Sequence, residues 1–204
     1  MAATSSPEPL REPPAREQSA KEQPARERTV TWADPRALAR AGQGLAGLDF
    51  LRALIAGTVP PPPIVALMGI TLDEAEPGRV TMRMPAGEYL YNPIGSVHGG
   101  ALATLLDSAM GCAVHSTLPA GRGYTTLEIK VNYLRAVTEG SGRVAATGRV
   151  VHAGRRQAVA EASLTDEAGR LCATASTTCL VFDLPVRDDL PAREERPARP
   201  EERP

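Results

Sequence analysis

Aromatic side chains are scarce, at 3% of the 204 residues, so ranks of stacking rings like those of single-strand nucleic-acid binders are hardly available. Charge of one sign is missing as well. The formal net charge is −1, which offers no global field for nucleic acid or for an anionic membrane. Cys112, Cys172 and Cys179 are odd in number, show no CxxC spacing and sit in apolar segments, as buried thiols in a reducing compartment would. His98, His115 and His152 fall in separate segments without HxxxH or clustered Cys/His spacing, so no metal set is visible. Long hydrophobic runs are absent too. No window approaches the roughly 20 apolar residues of a membrane span, and the start MAATSSPEPLREPP lacks the apolar core of a signal peptide, so a soluble, cytoplasmic protein is expected.

What is present divides the chain into four parts. Residues 1–30 and 186–204 share a vocabulary of Pro, Ala, Arg and Glu, with PARE at Pro14, Pro24 and Pro191. They hold too few apolar groups to offset the entropy of ordering, so both read as disordered tails. Residues 31–63 read as an N-terminal helical extension, with Asp34 as N-cap and Pro35 at the first helical position. Leu48, Leu51 and Ile55 fall on one face there, the glycines at 42, 44 and 47 split it into two short helices, and the prolines at 60–63 end the second.

Residues 64–185 form the expected domain. From Val65 two extended runs meet in a hairpin at Pro77-Gly78. Gly99 to Leu118 is a helix apolar on nearly all sides, which calls for burial in the middle of the fold. YTTLEIKVNYLRAV then alternates, placing Leu127, Ile129, Val131 and Tyr133 on one face, and three further strands turn at Ala153-Gly154 and near 166–169. Six strands and one buried helix are both satisfied by a sheet wrapped around that helix.

The central helix carries the chemistry. Asp107 is the only formally charged residue between Gly99 and Gly121, and a lone buried carboxylate needs either a structural partner or a task. At the helix start, His98-Gly99-Gly100 lets a ligand approach backbone amides that are unpaired and lie at the positive end of the helix, a place suited to an oxyanion. Gly99 and Asp107 stand eight residues apart, roughly 12 Å along one helix. One chain cannot aim both at the same carbonyl. If both act on one bond, two helices must lie antiparallel, as a two-fold dimer provides. Ser96 lacks the G-x-S-x-G elbow of a serine nucleophile.

YNPIGSVHGGALATLLDSAMG followed by GYTTLEIKVNYLRAV resembles the hotdog-fold acyl-CoA thioesterases of the PaaI-like branch, over roughly residues 65–182. The resemblance implies an α+β hotdog fold, a six-stranded antiparallel sheet wrapped around a long central helix. It implies dimers with shared active sites, usually paired into tetramers. It also implies hydrolysis of acyl-CoA thioesters with no metal and no cofactor beyond the coenzyme A carried by the substrate. Carried over by position, it makes Asp107 the catalytic carboxylate, as general base or nucleophile, and Gly99 the oxyanion donor beside Gly100. Asn92 and His98 become the pair that orients water or substrate. A Ser or Thr early in the following strand positions water in the family; Thr125 and Thr126 both stand there, and counting back from Tyr133 favours Thr126 with the register open. Gly154 and Arg155 match the turn that contacts coenzyme A. Leu90, Met110 and Val114 are candidate acyl-pocket residues. Two other functions fit the same fold, an acyl-CoA-binding sensor without turnover and a hydratase or dehydratase. A sensor needs no carboxylate at position 107, and His98 lacks the spacing of a hydratase motif.

Overall fold

A computed structural model describes residues 24–184; most of the N-terminal tail (1–23), residue 185 and the C-terminal tail 186–204 lie outside the described residues. Residues 24–30 have no regular secondary structure, yet Arg28 stacks 3.9 Å above the Tyr89 ring and donates to the Leu67 carbonyl at 2.6 Å, while Arg26 pairs with Glu88.

Helix α1, Pro35–Ala41, starts where expected, because the Asp34 carboxylate accepts the Arg36 N–H at 2.9 Å and Pro35 supplies a preset φ. Helix α2, Gly47–Ile55, buries Leu51, and its first amide donates to the Leu118 carbonyl at 2.9 Å. Ile55, expected on the same face, is 43% exposed. The extended run expected from Val65 is instead a third helix, α3, Pro63–Met68. Helix α2 ends at Ala56-Gly57, with Gly57 at φ +70°, ahead of the prolines expected to stop it; the last of those prolines opens a first turn instead, and Gly69, at φ +71°, closes α3 in the left-handed conformation glycine adopts without strain.

The sheet comprises β1 Thr71–Glu76, β2 Arg79–Pro85, β3 Arg122–Tyr133, β4 Arg143–Ala153, β5 Gln157–Thr165 and β6 Leu171–Asp183. All neighbours are antiparallel in the order β1-β2-β4-β5-β6-β3, so β3 is an edge strand. The β1–β2 hairpin turns at Gly78, as the Pro77-Gly78 pair predicts. Helix α4, Gly99–His115, lies across the concave face, packed against β2, β3, β4, β5 and β6.

Small residues let it lie close. The helix-facing row includes Ala146, Ala160, Ala162, Ala173 and Ala175, all buried, and a Cβ on Gly148 would come within 2.4 Å of the Ala109 carbonyl. Little room is left for rings, which accounts for the low aromatic content. Leu105, Leu106 and Met110 fill the remaining space with no exposure, each contributing about 1.5–3 kcal/mol by burial.

The helix is not buried on all sides. Gly100 is exposed and Thr104, Asp107 and Ser108 are half-buried, forming a polar stripe that meets β3 at Asp107. The two hydroxyls are satisfied locally: Thr104 donates to the Gly100 carbonyl at 3.0 Å and Ser108 to the Thr104 carbonyl at 2.7 Å. No helix among the described residues is long and apolar enough to cross a membrane.

Candidate active site

Asp107 projects from the middle of α4 toward β3, where the Thr126 hydroxyl donates to its Oδ1 at 2.9 Å. That contact depends on a bulge. The β3–β6 register slips between Thr126 and Glu128, so Leu127 is the extra residue and stands 58% exposed. The face expected to hold Leu127 therefore reverses parity there. Tyr124 and Thr126 turn toward the helix before the bulge, and Ile129 and Val131 pack on the core after it. Thr125 is exposed, so of the two threonines only Thr126 meets Asp107.

Around this pair lies a cleft of about 520 Å³, and Cys112 and Tyr124 share its floor with Asp107 and Thr126. Burial pushes the Cys112 thiol up to about 12, with the Asp107 charge adding to the effect, so at neutral pH it stays protonated and is no competing nucleophile. The Tyr124 hydroxyl is likewise held well above its usual range, first by burial and then by Cys112, Cys179 and Asp107 beside it.

The helix start borders a different cleft, of about 330 Å³, lined by Asn92, Ser96, Gly99 and Tyr133. The Gly99 carbonyl accepts the Tyr133 hydroxyl at 2.6 Å, while its N–H, first of the helix, has no acceptor among the described residues. The Gly100 N–H is taken by His98 Nδ1 at 2.9 Å, which places the proton of the neutral imidazole on Nε2, on an exposed side chain. Asn92 organises the loop before the helix: Oδ1 accepts from the Ile94 and Ser96 amides at 3.1 and 3.2 Å, and Nδ2 donates to Ser96 Oγ at 3.1 Å. Its side chain is largely committed to that turn.

Within one chain the structure thus brings together Asp107 with Thr126, and separately Asn92, His98, Gly99 and Gly100. Gly154 and Arg155, in the β4–β5 turn, border neither cleft; Arg155 is exposed and its carbonyl accepts from Arg122 at 2.6 Å. Met110 and Val114, candidates for an acyl pocket, have no exposure and belong to the core, and Leu90 packs against the core outside the Asp107 cleft. The cleft wall comes instead from residues 54–72, including Leu54, Ile55, Val59, Pro60–Pro62, Ile64 and Val65. Sequence reasoning missed this wall, whose only signal was an apolar run around prolines placed just before the sheet.

A six-stranded antiparallel sheet curled about one central helix is the hotdog fold. The thioesterase superfamily model matches residues 94–173. The chain is 32% identical over 111 residues to the proofreading thioesterase EntH of Klebsiella pneumoniae, covering 54% of this chain and 80% of the relative. It is 29% identical over 115 residues to the 1,4-dihydroxy-2-naphthoyl-CoA hydrolase of Escherichia coli, covering 56% and 83%. A solved thioesterase family protein from Silicibacter pomeroyi superimposes with a TM-score of 0.58 at 32% identity, over 65% of this chain and 96% of that one. The chain belongs to the thioesterase superfamily.

Proposed function

We propose that the protein hydrolyses acyl-CoA thioesters to the free acid and coenzyme A, at sites each built from two copies of the chain. The observation that carries this reading is the separation on α4 of a carboxylate held by a hydroxyl from an amide without an acceptor, in two different clefts. A second, antiparallel copy brings the Gly99 end of one helix to the Asp107 of the other.

In that site Asp107 acts as general base. Water donates one proton to the carboxylate and the other to Thr126 Oγ1, whose own proton is already engaged with Oδ1. The water oxygen attacks the thioester carbon. The carbonyl oxygen gains the negative charge and is held by the Gly99 N–H, with the His98 Nε2–H beside it. Collapse of the tetrahedral species breaks the C–S bond, and the proton held by Asp107 passes to the departing thiolate. A thiolate leaves readily, so a carboxylate and one oxyanion donor suffice without a full triad. Gly154 and Arg155, on an exposed turn, suit the phosphates of coenzyme A. The named relatives support the thioester class, and the hydrolase of Escherichia coli supports a coenzyme A substrate.

The test is thiol release from an acyl-CoA panel by the wild type and by Asp107→Asn. Asparagine keeps the shape and can still accept from Thr126, so the oligomer should survive. Loss of a general base lowers kcat by about 10²–10⁴-fold. Undiminished turnover would remove Asp107 from the mechanism.

A further inference from the structure

The Asp107 cleft has a wall that the superfamily match does not include. The match begins at residue 94, whereas the wall is made by the end of α2, the Pro60–Pro62 segment and the start of α3. We propose that this α2–α3 connection selects the acyl group, admitting a medium-length aliphatic chain in preference to an aromatic one and setting how long that chain can be. The proposal rests on the thioesterase function above.

Composition supplies the first reason. Val59, Ile64, Val65, Ile70, Leu72 and Met82 line the cleft, whereas Tyr124 is the only aromatic ring in the lining among the described residues. An aryl acyl group gains from stacking against flat aromatic faces, which this wall scarcely provides. A flexible alkyl chain gains instead from aliphatic contact along its whole length.

Backbone chemistry supplies the second. Four successive prolines at 60–63 carry no N–H, so that stretch of the wall offers no main-chain donor to a polar substituent on the acyl group. The carbonyl of Pro62 is already occupied by the Val65 and Ala66 amides, at 3.0 and 3.3 Å.

Rigidity supplies the third. Proline fixes φ near −65°, and Pro62 sits at φ −59°, ψ 149°. The approach to the prolines is tied down as well, because the Thr58 amide and hydroxyl both donate to the Ala53 carbonyl, at 3.0 and 3.1 Å. A stiff wall imposes a defined end on a cavity. At about 520 Å³ the cleft lies within the usual range for small-molecule sites, about 300–1,000 Å³, and must also hold the reacting carbonyl.

The experiment measures kcat/KM for straight-chain acyl-CoAs from butyryl to palmitoyl, with phenylacetyl- and benzoyl-CoA alongside. In the wild type each methylene added within the cleft raises kcat/KM about fourfold until the chain meets the proline wall, after which the rise stops. Ile64→Trp, at a position 45% exposed and so tolerant of bulk, narrows the cleft. It should lower the ratio of kcat/KM for decanoyl- over butyryl-CoA about tenfold, the equivalent of fewer than two methylenes. Should that variant fold poorly, Pro60→Gly/Pro61→Gly makes the opposite change, and the cut-off at long chains should soften. Active enzyme with a preference for aryl substrates, or with the same chain-length profile in a folded variant as in the wild type, overturns the proposal while leaving the thioesterase function standing. Absence of turnover on every thioester overturns that function, and the proposal with it.

Discussion

Mixing two inactive variants tests whether each site is shared between chains. Gly99→Pro removes the oxyanion donor with little disturbance, because proline is favoured at the first position of a helix and His98, at φ −59° and ψ 134°, already has the extended backbone required before it. The new Cβ would lie 3.1 Å from the Tyr133 ring, which is 51% exposed but tethered by its hydroxyl to the Gly99 carbonyl; Gly99→Ala controls for that contact. Alone, Gly99→Pro should lose about 10²–10³-fold in kcat and Asp107→Asn about 10²–10⁴-fold. After random exchange of equal amounts, half of the dimers are mixed. Each mixed dimer has one site with both groups intact and one with neither, so the mixture should recover about a quarter of wild-type activity. The readout is thiol release after exchange has been verified by native mass spectrometry. If both groups acted within one chain, no intact site could form and activity would stay near the mean of the two variants, about 1% of wild type or less. That result would refute the shared site.

Three further outcomes are expected. Thr126→Val should lower kcat about tenfold or more, from loss of a hydrogen bond to a charged group worth about 1.5–3 kcal/mol, and Thr126→Ser should restore most of it; equal rates in all three would release Thr126 from the mechanism. Single turnover in ¹⁸O-water should label the product acid and leave the Asp107 peptide unlabelled by mass spectrometry, whereas label in that peptide would make Asp107 the nucleophile. Burial holds the His115 imidazole below its ordinary 6.5, its ring lying between Phe50 and Tyr124. The unfolded chain therefore takes up this proton first as pH falls, so the contribution to stability is complete above about 6.5 and is lost below it, by at most about 1.4 kcal/mol per pH unit. His115→Phe should flatten the fall in Tm between pH 7.5 and 5.5; parallel curves for variant and wild type would contradict the assignment.

The order of elements was legible in the sequence because it rests on local periodicity. The apolar run from Gly99, the alternation of β3 and the Pro77-Gly78 turn each announce themselves within a dozen or so residues. Three features were not legible, each for a physical reason. Pro63 reads equally as a helix stop and a helix start, and the choice falls to the residues between it and Gly69, so α3 stayed hidden. The bulge at Leu127 is a property of two strands together: the count from Tyr133 that favours Thr126 leaves the register open, and only the pairing of Thr126 with Cys179 and of Glu128 with Thr178 reveals the slip. The wall at residues 54–65 meets Asp107 only through tertiary packing, which no spacing encodes.

The edge position of β3 links these features to the proposed two-chain site. A twelve-residue edge strand offers a long row of unpaired backbone groups, whereas the opposite edge, β1, has six residues and an irregular register. Suppose β3 pairs antiparallel with a second copy about an axis at Lys130. Ile129 then stands opposite Val131 of the second copy, both on the helix side, and the bulge at Thr126–Leu127 falls opposite Tyr133. Thr126 carries Asp107 with it, and Tyr133 is bonded to the Gly99 carbonyl, so the pairing sets the carboxylate of one chain beside the free amide of the other, twice. Without the bulge, Thr126 would face away from the helix and Asp107 would lose its hydroxyl partner. On that pairing, one irregular residue on an edge strand meets two requirements of the proposed site, the local hydrogen bond to the carboxylate and the register that brings the second chain's amide to it.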